Sequence, residues 1–322
     1  MISRRGIFRL VPLLSLLGFV VLATNLLRFR IAHSSTYQTP TILGAHSEQL
    51  NTQSPPIAVL PPNKIQQNNP NIQAKSAYLL DVDSSYPLFA KNENEQVPIA
   101  STTKLMTAVV ARKAYQLTDI ATTSEKAATI DGSKILLKPG EKMDVKSLLT
   151  GLLIQSGNDA AMTLAEHMGL DAFVKAMNDE ADFLGMKDTQ FKDPAGLDDQ
   201  GHSTAHDLAI LAAYIIRDDV VRSIVQTTQT TVTSSDGSKS HSLESSNRLI
   251  KADHPLYIPE ATGLKTGFTP DAGHCLVASA VKNGHAIVSV ILHTNSTSNE
   301  ASAVESHKLL AWAFNAYSWD TE

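Results

Sequence analysis

Three short stretches bring together residue types that could activate a hydroxyl: Ser101-Thr102-Thr103-Lys104, Ser156-Gly157-Asn158 and Lys265-Thr266-Gly267. A serine hydroxyl is a poor nucleophile until a base lies within hydrogen-bond reach. A lysine becomes that base once burial lowers its pKa, because desolvation penalises the charged form. Ser101 and Lys104 are three apart, which at a helix start puts them on one face and lets the amine reach the hydroxyl. The helix N-terminus adds a field that favours negative charge on the serine oxygen. Taken singly, each motif has a plainer meaning. Ser101 would be an N-cap with Lys104 in solvent, and Lys265 a solubilising lysine on an edge strand. Two look-alikes show why context decides. Ser279 to Lys282 repeats the serine–lysine spacing, but on a strand positions three apart point to opposite faces and cannot meet. Ser245 to Asn247 repeats the Ser-x-Asn spacing.

The elements that would position these residues begin near Ala74. Ser76 to Leu80 reads as a strand, Asp83-Ser84-Ser85 as a turn and Pro87 to Ala90 as the partner strand. A helix is predicted from Ser101 to about Tyr115, with Leu105, Ala108 and Val109 as its apolar stripe. Asp144 would cap a helix through Ile154; further helices run from Asp159 to Met168 and from Asp171 to Leu184, stopped by Gly169 and Gly185. Ser156 and Asn158 therefore fall in a short link between two helices, where side chains can be aimed into a cleft. Thr204 with Asp207 gives a capping-box pattern before a helix from Ala205 to Arg217. Strands follow: Thr227 to Thr233 with Ser240 to Leu243, then Cys275 to Val281 with Ala286 to Leu292 around the hairpin signal Asn283-Gly284. Lys265 lies in Thr262 to Phe268, a strand whose glycines allow a substrate backbone to approach closely. An amphipathic helix over Ala301 to Tyr317 closes the chain. The order predicts one α+β domain over 75–322, an antiparallel sheet with an inserted helical lobe.

Ahead of that domain, Arg4, Arg5 and Arg9 precede an apolar run from Leu10 to about Leu27, closed by Arg28 and Arg30. Residues 1–30 fit either a cleaved signal peptide, with a site after Ala23, or a membrane anchor; both export the rest of the chain. Residues 31–74, rich in Ser, Thr, Pro, Asn and Gln and nearly free of charge, read as a disordered tether spanning roughly 35–40 Å. A net charge of -5 gives no electrostatic reason to expect a nucleic-acid partner. The one cysteine, Cys275, rules out an intramolecular disulfide and reads as a small buried hydrophobe.

In combination the three motifs resemble the signature of the serine D-alanyl-D-alanine carboxypeptidases, the low-molecular-mass penicillin-binding proteins. The resemblance covers roughly residues 75–320. It extends to Pro98 through Ala108, Ser156 through Ala161, Gly196 through Asp199 with Gly201 through Ala205, and Gly263 through Thr269 with Ala272-Gly273. It implies a β-lactamase/transpeptidase-like fold, in which N- and C-terminal helices flank the sheet, and a cell-envelope enzyme that needs no metal or other cofactor. Its partners would be peptidoglycan stem peptides ending in D-Ala-D-Ala and β-lactams, and its tie to the membrane the N-terminal segment. By the same resemblance Ser101 is the nucleophile, Lys104 its base and Ser156 a proton relay near Lys265. Asn158 holds the substrate amide, and Lys265 and Thr266 face its carboxylate. The strand continues through Gly267 to Phe268, and the N–H groups of Ser101 and Phe268 form the oxyanion hole.

Two features depart from that pattern. The chain ends soon after its closing helix, as in the endopeptidase branch, so anchoring is expected from the N-terminus. No arginine follows Arg248, whereas relatives often carry one near the third motif for the terminal carboxylate. Besides the carboxypeptidase, a D,D-endopeptidase that cuts cross-links and a non-catalytic penicillin or wall receptor remain as alternatives. A class A β-lactamase would need a glutamate near the serine; Glu166 lies roughly 12 Å past Asn158 along a helix. A zinc peptidase could use His202 and His206, four apart, but no third ligand is evident.

Overall fold

The computed structural model describes residues 59–294 and 296–319. The signal peptide or anchor expected over 1–30 lies outside the described residues, as does the expected tether up to residue 58. Among the described residues no helix is long and apolar enough to cross a membrane.

A short strand β1 (Asn63–Lys64) precedes β2 (Ala74–Asp81) and β3 (Pro87–Lys91), which pair as the expected hairpin. A 3-10 turn over Ala100–Thr103 leads into helix α1 (Lys104–Ala114). Strand β4 (Ile120–Thr122), helix α2 (Glu125–Thr129) and strand β5 (Lys142–Asp144) follow. Asp144 then caps α3 (Val145–Ile154) by accepting from the Ser147 N–H. Helices α4 (Asn158–Met168) and α5 (Leu170–Leu184) come next, the latter ended by Gly185 in the left-handed conformation at φ 78°. Thr204 caps α6 (Ala205–Ile215), and Asp218 caps a short α7 (Asp219–Val225).

The second half is mostly sheet. Strands β6 (Gln229–Thr233) and β7 (Ser240–Glu244) form a hairpin, and a 3-10 turn over Arg248–Ile250 leads to β8 (Ala261–Thr269). Strands β9 (Gly273–Lys282) and β10 (His285–Thr294) meet through Asn283 and Gly284, both at positive φ, as an Asn-Gly hairpin turn requires. Helix α8 (Ala301–Ala316) and strand β11 (Tyr317–Ser318) complete the described chain.

The main sheet is antiparallel in the order β3-β2-β10-β9-β8. Side chains alternate between its faces and split the core in two. Tyr78, Leu80, Val277, Val288 and Val290 join the core under the helical lobe. Ala77, Leu79, Leu276, Ile287 and Ile291 join a smaller core under α8. With both faces covered, β9 and β10 carry continuous buried runs. Strand β8 is left at the edge, facing the 3-10 turn that carries Ser101.

The sequence did not announce α2, α7 or the β4–β5 pair, since each is shorter than the periods that reveal an element. Helix α6 also stops at Ile215, two residues before the expected Arg217. The far end of the expected tether differs more. Strand β1 pairs with β11, Trp312 Nε1 donates to the Asn68 carbonyl at 2.7 Å, and Glu305 accepts from the Gln73 N–H at 2.9 Å. Ile72 is buried. Residues 63–73 are thus held by partners about 240 positions away, which local composition cannot reveal.

Candidate active site

Ser101 and Lys104 meet because of the turn between them. Ala100 takes a left-handed φ of 47°, the following residues close a 3-10 turn, and α1 starts at Lys104 itself. The Lys104 Nζ lies 2.7 Å from Ser101 Oγ and donates to the Ala195 carbonyl at 2.6 Å. That carbonyl is fixed by Asp193, whose carboxylate accepts the N–H groups of Ala195, Gly196, Leu197 and Asp198 at 2.6–3.0 Å. Gly196 is required in this turn: at φ 74°, a Cβ would lie 2.0 Å from the Ala100 carbonyl oxygen. Lys104 is fully buried, and burial holds its pKa well below the ordinary lysine value. The charge of Lys265 presses it lower, against the weaker opposite pull of Asp193 and Asp159.

The second motif is the turn from α3 to α4. Ser156 sits there at a left-handed φ of 61° and is nearly buried. Asn158 donates its Nδ2 to the Asp131 carbonyl at 2.6 Å, while its buried Oδ1 has no partner among the described residues. Gly132 makes room for that amide, since a Cβ there would lie 2.7 Å from Asn158 Nδ2. Asp159 accepts the N–H groups of Ile135 and Leu137, both at 3.0 Å, and so ties the 131–137 loop to α4.

On β8, alternation places Lys265 and Gly267 toward the helical lobe and Thr266 and Phe268 toward α8. A Cβ on Gly267 would stand 3.1 Å from the Ser101 N atom and 3.0 Å from the Ile99 carbonyl oxygen, so the strand runs directly against the serine turn. Lys265 is 1% exposed rather than a solvated edge lysine, and burial lowers its pKa to about 7. Its Nζ donates to the Thr266 carbonyl at 2.8 Å rather than to Ser156. Thr266 Oγ1 meets Ser246 Oγ at 2.5 Å, and the exposed Phe268 ring stacks on His274 with centroids 4.4 Å apart.

The three motifs therefore border one cleft of about 490 Å³, lined by Ser101, Ser156, Thr266, Gly267 and Phe268. Lys104, Lys265 and Asn158 are buried close to these lining residues in the chain and do not themselves line it. The sequence had not singled out Gln155, Ser246, Arg248, His274, Asn299 or Ser302, which also line it. A signal was available: Ser246 and Arg248 flank Asn247 of the Ser-x-Asn look-alike. The histidine pair does not converge, since His202 Nδ1 approaches the Gln200 carbonyl and His206 Nδ1 approaches Asp207. Glu166 is half-buried at the far end of α4.

A hydroxyl 2.7 Å from a desolvated amine, with a buried amide oxygen in the second motif that has no partner among the described residues, is equipped for acyl transfer to serine. Residues 63–296 match the D-alanyl-D-alanine carboxypeptidase family. The chain belongs to that family. It is 39% identical over 253 residues to the D-alanyl-D-alanine carboxypeptidase DacF of Bacillus subtilis, covering 76% of this chain and 63% of DacF. It is 31% identical over 229 residues to a D-alanyl-D-alanine endopeptidase of Escherichia coli, covering 70% of this chain and 73% of that protein. The crystal structure of the Streptomyces K15 DD-transpeptidase superposes with a TM-score of 0.70 at 28% identity. That match covers 77% of this chain and all of the transpeptidase chain. The family member described here shares its α+β architecture, with a helical lobe on one face of the sheet and α8 on the other. Against the carboxypeptidases DacF, DacD and DacA, the chain spans 63% of the relative's length.

Proposed function

We propose that the protein is an exported serine-type D-Ala-D-Ala carboxypeptidase that trims peptidoglycan stem peptides through an acyl-enzyme on Ser101. The observation that carries this reading is the 2.7 Å contact between Ser101 Oγ and the buried Lys104 Nζ. Neutral Lys104 takes the hydroxyl proton as Oγ attacks the carbonyl between two D-alanines. The oxyanion is met by the N–H groups of Ser101 and Phe268. The C–N bond then breaks, and Ser156 passes the proton to the leaving amine. Water hydrolyses the ester and restores the serine. Asn158 pairs with the substrate amide through its free Oδ1, while Lys265 and Thr266 grip the carboxylate beside the scissile bond, with Gly267 allowing close approach. β-Lactams would arrest the cycle at the acyl stage. The basic, apolar N-terminus supports delivery across the membrane as a signal peptide or anchor.

A second reading, a D,D-endopeptidase that cuts cross-links, is favoured by the similarity to the Escherichia coli endopeptidase. A wall-binding receptor without catalysis would retain the cleft but not turn over. Intact-protein mass after penicillin, with peptide mapping, is expected to place one adduct on Ser101 and none in Ser101→Ala. An adduct elsewhere, or none at millimolar drug, refutes the assignment. Product masses from a pentapeptide and from a cross-linked dimer then separate the three readings.

A further inference from the structure

The cleft continues past the three motifs, across β8 from Ser101. There, on the side where Thr266 and Phe268 point, it is closed by the Arg248–Ile250 turn and the first turn of α8. Arg248 is the one formally charged side chain among the described residues that line the cleft. Its Nε donates to Glu300 at 3.3 Å, and Glu300 also meets His254 Nε2 at 3.2 Å. This pairing uses one edge of the guanidinium. Its two Nη groups have no acceptor among the described residues.

Ser302 faces the same end of the cleft. It is 5% exposed, lines the wall, and its hydroxyl has no hydrogen-bond partner among the described residues. It lies in the first turn of a sixteen-residue helix, where the helix dipole favours an anion, although the Ala301 N–H is already taken up by the Ser298 carbonyl at 3.0 Å. His274, which also lines the cleft, has its pKa lowered by burial and, more weakly, by the Arg248 charge, against a backbone hydrogen bond to Thr297 that raises it. A half-free guanidinium, the hydroxyl of a buried wall residue and a helix N-terminus thus border one end of the cleft, with Glu300 the one acid paired to them among the described residues.

We propose that Arg248, Ser302 and the first turn of α8 form a second anion subsite, beyond the Lys265–Thr266 grip, for a carboxylate of a leaving peptide. This rests on the reading of Ser101 as nucleophile and of Lys265 and Thr266 as the leaving side. A departing D-alanine has one carboxylate, next to the scissile nitrogen, and Lys265 and Thr266 already account for it. A peptide released from a cross-link carries further carboxylates several bonds away. The planar fork of Arg248 fits such a group bidentately. The subsite therefore favours cross-linked substrates over pentapeptides.

The test compares kcat/KM for a pentapeptide and a cross-linked dimer in the wild type, Arg248→Ala and Arg248→Lys. Melting temperature reports folding. The expected result is a loss on the dimer about tenfold greater than on the pentapeptide, with Arg248→Lys recovering little because an ammonium lacks the fork. Equal losses on both substrates, or none, would overturn the subsite. Failure of penicillin to acylate wild-type Ser101 would instead refute the reaction assigned above. In that event, binding of the released peptide with and without Arg248→Ala still decides the subsite: about tenfold weaker binding supports it, and unchanged binding overturns it.

Discussion

The two sides of strand β8 treat positive charge in opposite ways. Toward the helical lobe, Lys104 and Lys265 are buried, and neither forms an ion pair among the described residues; their acceptors are the Ser101 hydroxyl and the carbonyls of Ala195 and Thr266. Toward α8, Arg248 is 23% exposed at its side chain and paired with Glu300. A buried ammonium without a carboxylate loses its proton readily, whereas a guanidinium keeps its charge at any physiological pH. Under the mechanism and the subsite proposed above, proton transfer would fall to the inner side and fixed-charge binding to the outer side. Local burial, and not the count of cations, separates the two roles.

The sharpest way to break this contrast is Lys104→Arg, which puts a permanent charge where a neutral amine is needed. Acylation by penicillin should fall roughly 10²–10⁴-fold, read by mass over time. Acylation within tenfold of wild type would place the base elsewhere. In the wild type, acylation should also rise with pH through the lowered pKa of Lys104.

A smaller and two-sided effect is expected from Lys265→Met. The folded pKa is about 7, against 10.5 for an ordinary lysine, so between these values the unfolded chain binds more protons. Stability therefore rises with pH across that window, and burying the lysine costs stability at neutral pH. Methionine should raise the melting temperature at pH 7 by a few degrees, roughly one or two kcal/mol, while kcat/KM on a pentapeptide falls. An unchanged melting temperature would show that the charge is compensated. For the same reason, wild-type kcat/KM should decline above about pH 7, as Lys265 loses the proton that attracts a carboxylate.

The smallest effect is expected on the outer side. Glu300→Gln removes a half-exposed partner of Arg248, and chemical denaturation should report a loss of about 1 kcal/mol or less. A much larger loss would mean that the Arg248–Glu300 pair holds the structure together, erasing the contrast with the inner side.

Several of these features were legible before any coordinates. Spacing allowed Ser101 and Lys104 to meet, because three positions at a helix start return to one face, but only the other two motifs favoured that pairing over an N-cap serine and a solvated lysine. The α3 and α6 starts followed from Asp144 and Thr204, whose side chains accept the N–H three residues on. Asp207 completes only half of the expected capping box, because its carboxylate turns instead to the Asp188 N–H and Thr189. Arg248 escaped notice because its turn is three residues long and the side chain acquires meaning only beside α8. Residues 63–73 escaped for a similar reason, since their backbone partners come from the last helix and strand.

The sequence by itself determined the chemistry available: a serine three residues before a lysine, a serine and an amide in one helix link, and a lysine on a glycine-bearing strand. Those are local facts, written in spacing and turn residues. Only the tertiary structure decided which cations lose their charge. Burial is set by segments far apart in the chain: the 193–198 turn accepting from Lys104, the 131–137 loop ordered by Asp159, and β8 laid against the serine turn. A lysine carries no mark in sequence of the dielectric that will surround it. Whether it becomes a base or a solvated surface charge is fixed by what the rest of the chain folds over it.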